Sequence, residues 1–417
     1  MLAFALTASA QNVNVNPGGG SYATLADAFS AVNAGTHTGA ITVEIIGDTT
    51  EPAAGAVLNA SGAGAASYTS IVISPSGGAA RTISGAATAG VPLIDLNGAD
   101  NVTINGLNSG GNALTISNTT VSSTPGTSTI RFQADATSNT ITNCSILGSS
   151  TMSAGTSGGN ILFSTAAVGG NDNNIISNNN IGPVGTNLPT KAISGNGTSG
   201  FLNSGIQITG NNIFDFFNAA AASHGIYIST GNTDWSITGN KFYQTDVRTQ
   251  TMTGTIHAAI QIANGSVNNC TISNNTIGYA SAAGTGTYTF VGSGSGSKFL
   301  PIYFSVGSVT AASNIQNNTI TAINLSGIVG GAGTAAAFNG ISIASGFANI
   351  SGNTIGSLTA SGAISVTSDN PLAIDVHGIC FFSAAAINIS NNNVGGITAV
   401  NNVAGGLQGA IVIPTIQ

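Results

Sequence analysis

The residues best suited to chemistry are concentrated in one segment, positions 214–257 of the 417-residue chain. Asp215 and Asp246 each follow the last apolar residue of a repeated phrase, so we expect the two carboxylates in the same loop position on consecutive turns. Neighbouring turns of a stacked β-structure are about 4.8 Å apart, which gives a carboxylate separation of about 5 to 10 Å and covers both retaining and inverting glycoside hydrolysis. His224 lies between them in sequence and is a candidate acid or base. The sequence therefore predicts Asp215, Asp246 and His224 as candidate catalytic residues.

Side chains that suit sugar binding accompany these three residues. Aromatic rings stack on sugar faces, and cations bind acidic glycans. The candidates for substrate binding are Tyr227, Trp235, Lys241, Tyr243 and Arg248. An alternative remains open, in which these long side chains pack the base of a wide loop and each histidine is a corner residue at a strand entry.

No metal or cofactor site is expected from the sequence. Cys144, Cys270 and Cys380 are more than 100 residues apart, which excludes a local zinc motif, and their odd number does not form a disulfide framework. We expect three buried thiols.

The composition narrows the class of protein that must position these residues. Lys and Arg together number 6 and Asp and Glu 13, so 5% of the chain is charged and the net charge is −7. That balance excludes a basic nucleic-acid-binding protein, and the 42% hydrophobic content argues against disorder. Helical bundles need Glu, Lys, Arg and Leu on exposed faces, so a β-rich protein remains.

One phrase, Asn-x-Ile-x-x-Asn-x-Ile in its fullest form, recurs along most of the chain. Its last apolar residue falls at Leu107, Ile146, Ile181, Ile213, Phe242, Ile277, Ile320, Ile355 and Val394. The steps between copies vary while the spacing inside the phrase is kept, which predicts a solenoid with insertions in its loops.

The phrase also predicts the shape of each coil. Isoleucine alternates with polar residues, as in strands with one buried face, and a further short strand such as 225–228 precedes most copies. Each coil is therefore expected to contain three strands. Asparagine at the corner tolerates left-handed backbone, and its amide can donate to the asparagine of the next coil, which predicts an asparagine ladder.

These features resemble the right-handed parallel β-helices of the pectin-lyase-like superfamily. The resemblance implies an all-β solenoid of about nine to ten coils with an N-terminal amphipathic helix that caps its end. Leu25, Ala28, Phe29 and Val32 have the spacing of one buried helix face. The superfamily includes polysaccharide lyases and hydrolases, surface adhesins and phage tailspikes. The chain has neither the lyase set of calcium-binding aspartates with a basic residue nor the motif set of polygalacturonases, apart from two echoes of Gly-His-Gly-Ile.

The sequence divides into three parts. Residues 1–10 end in Ala8-Ser9-Ala10, the pattern of a signal-peptide cleavage site, although a basic start is missing. Residues 11–100 are expected to form the cap and first coils, and 101–417 the repeats. The last strand-like segment, 409–417, predicts that the β-helix continues or that its open coil contacts a further domain or another molecule end to end. No later stretch has the roughly 18 apolar residues of a membrane span.

The sequence thus favours a secreted or cell-surface β-helix module for adhesion, structural display or glycan binding, without catalysis. Its expected partner is a polysaccharide or cell-surface glycan, and nucleic acid is excluded. The alternative is a carbohydrate-active enzyme, a polysaccharide hydrolase or lyase, with its site on the loops around residues 215–257.

Overall fold

The computed structural model describes residues 11–403, except 108–112, 154, 156, 265–268, 308–310, 332–335, 372–373 and 384. The expected signal peptide and the strand-like segment 409–417 lie outside the described residues. None of the helices in the described part of the chain has the length and apolar character needed to cross a membrane.

The first sheet contains the strand that opens each repeat phrase. Twelve described strands pair in parallel in the stacking order Gln11–Val15, Thr38–Ile45, Ser67–Pro75, Val102–Asn105, Thr140–Thr142, Ile175–Ser177, Gln207–Thr209, Ser236–Thr238, Thr271–Ser273, Ser313–Gln316, Ala348–Ser351 and Ile387–Ser390. The last nine are the nine copies of the phrase. The first three come from residues 11–100, where the phrase is not recognisable, and they account for the excess over nine to ten coils.

The second sheet contains the strand that closes the phrase. Its eleven described strands are Thr49–Thr50, Arg81–Gly85, Leu114–Asn118, Cys144–Gly148, Asn180–Pro183, Asn212–Phe214, Lys241–Tyr243, Thr276–Gly278, Thr319–Thr321, Thr354–Gly356 and Asn393–Gly395. Equivalent apolar residues are in register, as in Ile146 against Ile181 and Ile213 against Phe242. These residues are fully buried and form continuous rows inside the coils.

The third sheet divides into two columns. The main column contains Ala56–Asn59, Pro92–Asn97, Ser128–Gln133, Gly159–Phe163, Lys191–Gly195, Ser223–Ile228, Ile256–Asn264, Ile302–Val306, Phe338–Ser345 and Val376–Phe381. A second column contains Arg248–Gln250, Tyr288–Phe299, Ile323–Val329, Ile364–Ser368 and Ile397–Asn401. Tyr288–Phe299 pairs with both columns and joins them. Coils before Arg248 therefore have the expected three strands, whereas coils from Arg248 onward have four.

The corner between the first and second sheets uses two adjacent residues for two tasks. The first residue is Asn or Gly with left-handed backbone, for example Asn178 at φ 55° and Gly210 at φ 67°. The next residue is the ladder asparagine. Its amide nitrogen donates to the amide oxygen of the following coil, as from Asn179 to Asn211 at 3.1 Å and from Asn211 to Asn240 at 2.9 Å.

This ladder is long, and all of its asparagines are buried except the last, which is partly exposed. It runs through Asn179, Asn211, Asn240, Asn275, Asn318, Asn353 and Asn392. Each amide nitrogen also donates to a backbone carbonyl of the preceding coil, as from Asn240 to Ile208 at 2.7 Å. The predicted asparagine ladder is therefore present, and it satisfies backbone groups that the corner would otherwise leave unpaired.

The predicted helix spans Leu25–Asn33, and the four residues of its expected apolar face are all buried. Thr24 and Asp27 form a capping box at its start. The buried carboxylate of Glu51 accepts from the backbone N–H of Leu25 at 3.0 Å and of Ala26 at 2.8 Å. A short 3₁₀ helix spans Ser76–Gly78. The role of the longer helix as a cap of the solenoid end stays a prediction.

Candidate functional site

Asp215 is buried in an ion pair. Its carboxylate accepts from Arg248 Nη2 at 2.5 Å and from the backbone N–H and hydroxyl of Thr245 at 2.7 and 2.6 Å. Arg248 Nε donates in turn to Gln244 Oε1 at 2.6 Å. Both Asp215 and Arg248 are more than nine-tenths buried. The two groups satisfy each other, and this arrangement holds a loop rather than presenting either group to a substrate.

Asp246 does not occupy the equivalent position on the next coil. Phe214 is in register with Tyr243, so Asp215 aligns with Gln244, and Asp246 comes two residues later. Asp246 is exposed, and its Oδ1 accepts from the backbone N–H of Val247 at 2.7 Å. The structure therefore places Asp215 inside and Asp246 outside, because Asp246 lies two positions further along its turn than Asp215 does.

His224 lies on a third-sheet strand and is fully buried. Its Nε2 is 2.9 Å from Gln261 Oε1, and since an amide oxygen only accepts, Nε2 donates. Burial, with a smaller effect of nearby Lys191, lowers the pKa of His224 to about 3. The imidazole is neutral at physiological pH, and its contact orients the Gln261 amide. His224 is thus not brought to a space shared with Asp215 and Asp246.

The wide loop after residue 214 encloses an aromatic interior. His257 is fully buried, and its ring lies 5.6 Å from that of Phe216 and 5.3 Å from those of Phe290 and Phe299. Its Nε2 is 2.5 Å from the hydroxyl of Tyr288. Burial lowers the pKa of His257 to about 3, so this ring is also neutral. We call Asp215, Gln244, Arg248, His257 and Tyr288 the joint, because they lie where the fourth strand begins.

Trp235 and Tyr227 are not available for sugar stacking. Trp235 is 1% exposed, packs edge-to-face on Phe163 at 5.0 Å, and donates from Nε1 to the Asn203 carbonyl at 3.3 Å. Tyr227 is 8% exposed, and its ring lies 4.8 Å from the ring of His224. With Arg248 in the joint, three of the five expected binding residues are structural. The alternative reading of the sequence, in which long side chains pack a wide loop, describes these three.

Lys241 and Tyr243 do share an open space. They line a cavity of about 200 Å³ on the outer face of the second sheet, together with Thr276, Tyr279 and the turn that follows. Lys241 is exposed, and its Nζ donates to the Ala282 carbonyl at 2.7 Å. We call this space the second-sheet cavity.

A larger cleft, which the sequence did not indicate, lies on the outer face of the third sheet. It has a volume of about 440 Å³, and its polar lining comes from Gln261, Tyr303, Ser305 and Ser345. Ile302 and Phe304 are fully buried, so strand alternation turns Tyr303 and Ser305 outward. None of the described residues that line this third-sheet cleft is charged.

The sequence contains only a weak signal for the residues that line the third-sheet cleft. Gln261 and Tyr303 occupy the polar position of the strands 259–262 and 301–304, which the sequence does show. Their register, Gln261 against Tyr303, places them side by side only once the coils are stacked. Among the described residues, no group of three His, Cys, Asp or Glu is placed to hold a metal ion.

The parallel sheets, the inward rows and the asparagine ladder define a parallel β-helix with a neutral cleft on one face. No family model and no curated protein sequence matches the chain. Among solved structures, the chain is similar to the crystal structure of PfbA, a surface adhesin of Streptococcus pneumoniae, with 13% sequence identity and a TM-score of 0.37 over 92% of this chain and 89% of that chain. A second structure of PfbA gives 13% identity and a TM-score of 0.36 over 93% and 94%. The fold itself is established by the strands of this chain.

Proposed function

We propose that the protein is a secreted or cell-surface β-helix module that binds a neutral polysaccharide or cell-surface glycan in the third-sheet cleft, without catalysis. The observation that carries the proposal is the cleft itself, which combines an outward aromatic ring with amide and hydroxyl groups and no charge. We also propose that the fold belongs to the pectin-lyase-like group, on the support of its three-strand coils and corner ladder.

The lining of the cleft suits an uncharged sugar chain. Tyr303 offers a ring face for stacking, and Ser305 and Ser345 offer hydroxyl groups 3.2 Å apart. The Gln261 amide oxygen accepts a hydrogen bond from His224 Nε2, so the amide is oriented before a ligand binds. Consecutive coils are about 4.8 Å apart, so a chain lying along the axis would meet Gln261, Tyr303 and Ser342, which are in register on three consecutive coils.

The distribution of acidic and basic groups supports binding rather than hydrolysis. Glycoside hydrolysis needs two carboxyl groups that face one sugar across a gap. Here Asp215 is committed to Arg248 and Thr245, Asp246 is on the surface, and His224 is neutral and buried. The enzyme alternative would require these side chains to move a long way from the positions they hold.

The test is binding to an array of neutral oligosaccharides, followed by titration of the strongest neutral ligand into the wild type and Tyr303→Ala. We expect the variant to bind about tenfold more weakly, through loss of the stacking surface. Tyr279→Ala is the matched control, because Tyr279 directly follows a strand of the second sheet, Thr276–Gly278, and does not line the third-sheet cleft. Equal affinity of Tyr303→Ala and the wild type would overturn the placement of the site.

Catalysis is tested on the same ligands. Release of reducing ends that disappears in the double variant Asp215→Asn, Asp246→Asn would favour the enzyme. We expect no release from either protein.

A further inference from the structure

The last described coil lacks one strand. Each four-strand coil before it runs through the first sheet, the second sheet, the second column of the third sheet and finally the main column. The last coil contributes Ile387–Ser390, Asn393–Gly395 and Ile397–Asn401 to the first three of these, and none of the described residues after Asn401 forms a strand. Val376–Phe381 is therefore the last described strand of the main column, one coil behind the others.

The far edge of Val376–Phe381 is apolar and has no described partner. Among the described strands it pairs only with Phe338–Ser345, on the side of the preceding coil. Phe381 is in register with Ile343, which is in register with Phe304. Ile343 and Phe304 are fully buried, whereas Phe381 is 43% exposed. An exposed sheet edge of this kind is a template for a further strand.

The sequence that follows the last described strand contains the pattern of a main-column strand. Residues 410–413 read Ala-Ile-Val-Ile, as Ala-Ile-Gln-Ile does at 259–262 and Gly-Ile-Cys-Phe at 378–381. In both described strands the first residue is small and the isoleucine after it is buried inside the coil. The same alternation in a strand would turn Ile411 and Ile413 inward.

This segment also lies at the right distance along the chain. Equivalent isoleucines are in register down each column, as Ile364 with Ile397 in the second column and Ile341 with Ile379 in the main column. The steps from a second-column isoleucine to the main-column isoleucine that follows it are 18 positions from Ile323 to Ile341, 15 from Ile364 to Ile379 and 14 from Ile397 to Ile411. The chain after Ile397 is thus long enough to return to the main column at the same point of the coil.

We infer that residues 409–413 form the missing strand and pair in parallel with Val376–Phe381. In this register Ile411 lies over Ile379, and Ile413 covers the exposed phenylalanine ring at the end of the same strand. The segment pairs backbone groups along the edge and occupies a place where another copy of the chain could otherwise pair. Val376–Phe381 does not line the third-sheet cleft, so this pairing does not depend on the proposed function.

A disulfide tests the register, because this pairing places Val412 beside Cys380 on the outer face of the sheet. Neighbouring strands bring the two Cα atoms to about 4.8 Å, within the range of a disulfide. Val412→Cys in the whole chain is oxidised with diamide at low protein concentration. We expect an intramolecular disulfide between Cys380, which is partly exposed, and the introduced thiol, identified by mass spectrometry of the digested protein. Cys144 and Cys270 are fully buried and do not compete.

Ile411→Cys and Thr415→Cys are the matched controls, because in this register one thiol faces the interior and the other lies beyond the strand. We expect both to form the disulfide at least about tenfold more slowly than Val412→Cys. Similar rates at all three positions would overturn the proposed pairing, as would the absence of a disulfide or a main product that joins two chains. The last result would assign the edge to a second copy of the chain.

Hydrogen–deuterium exchange tests the pairing without a new thiol. Ile411→Asp places a charge on the inner face of the proposed strand and should raise the exchange rate of the peptide that contains Val376–Phe381 about tenfold, because the amides along its far edge lose their partners. Val412→Asp is the matched control, since it places the same charge on the outer face and should leave the exchange unchanged. Equal exchange in the wild type and Ile411→Asp, or an equal rise in both variants, would contradict the pairing.

Discussion

The three-strand coils before Arg248 and the four-strand coils after it share one corner and differ in their interior. The asparagine ladder and the rows of isoleucine continue through both. At the change, the joint places an ion pair, the Gln244 amide and a histidine in a space lined by aromatic rings. The interior gained by the fourth strand is thus filled by this polar group set and by large rings, as close packing of protein interiors requires.

The largest expected effect comes from breaking the ion pair of the joint. Asp215→Asn leaves the buried Arg248 without its carboxylate and should lower the free energy of unfolding by about 3–5 kcal/mol. The comparable pair of the three-strand half is Asp95 with Arg131, at 2.6 Å, where the arginine side chain is 18% exposed. Asp95 accepts two hydrogen bonds from Arg131 and one from Gln133, so Asp95→Asn should cost about 2 kcal/mol, less than the joint because the freed Arg131 can reach water.

Urea unfolding of both variants measures this difference. An equal or larger loss for Asp95→Asn would show that the joint has no special role.

The second-largest expected effect is a lower free energy of unfolding in acid. It is caused by two buried histidines, His224 and His257. The pKa values of His224 and His257 are lowered to about 3 in the fold, whereas an unfolded histidine has a pKa near 6.5. As pH falls below about 6.5 the unfolded chain takes up these protons first, so each histidine lowers the free energy of unfolding by about 1.4 kcal/mol per pH unit down to about pH 3.

The variants His257→Phe and His224→Gln should each reduce that slope by about this amount between pH 6 and pH 4. Unfolding free energies at four pH values provide the measurement, and carboxylates that titrate in this range cancel in the comparison with the wild type. An unchanged slope in both variants would contradict the buried, neutral state of the two rings.

The third effect concerns the asparagine ladder, which continues from the three-strand coils into the four-strand coils. Asn211 and Asn318 make equivalent ladder bonds, one before and one after the widening. Replacement of either by alanine removes the partner of two donors on the preceding coil and of one backbone carbonyl, and should lower the free energy of unfolding by about 1–3 kcal/mol. We expect the two losses in denaturant midpoint to agree closely. A much larger loss on one side would mean that the ladder depends on coil width.

The smallest effect is an extension of the ladder into the earlier coils. Cys144 occupies the ladder position before Asn179, and its backbone N–H already donates to the Asn179 amide oxygen at 2.9 Å. Cys144→Asn should add amide bonds to Asn179 and to the Ile104 carbonyl and raise stability by about 1 kcal/mol. Asn275→Cys is the reciprocal change and should lower the melting temperature. A lower melting temperature for Cys144→Asn would show that the corner at this coil has no room for an amide.

Much of the fold could be predicted because the repeat constrains it. The helix over Leu25 to Val32, the apolar rows and the ladder all follow from the spacing of residue types. The corner was expected to use one asparagine for two tasks, and the structure divides these between neighbours such as Asn178 and Asn179. The column of fourth strands could not be predicted, because Tyr288–Phe299 is rich in glycine and serine and reads as a loop.

The candidate site was less predictable, since clustering in sequence does not distinguish an exposed site from a buried joint. Asp215 and Trp235 stand in the same charged and aromatic stretch as Lys241, yet they face inward. Tyr303 and Gln261 lie on ordinary-looking strands. Their cleft arises from the stacking of separate coils, which no local pattern contains.

The direction of the ladder gives the solenoid a chemical polarity. Every side-chain amide nitrogen donates toward the C-terminal neighbour, from Asn179 to Asn392. The amide oxygens therefore all face the N-terminal neighbour and one amide N–H of each asparagine faces the C-terminal neighbour, so the side-chain dipoles are aligned. Each asparagine along this row therefore accepts from the coil before it and donates to the coil after it, so a coil built with this corner fits into the stack in one orientation only.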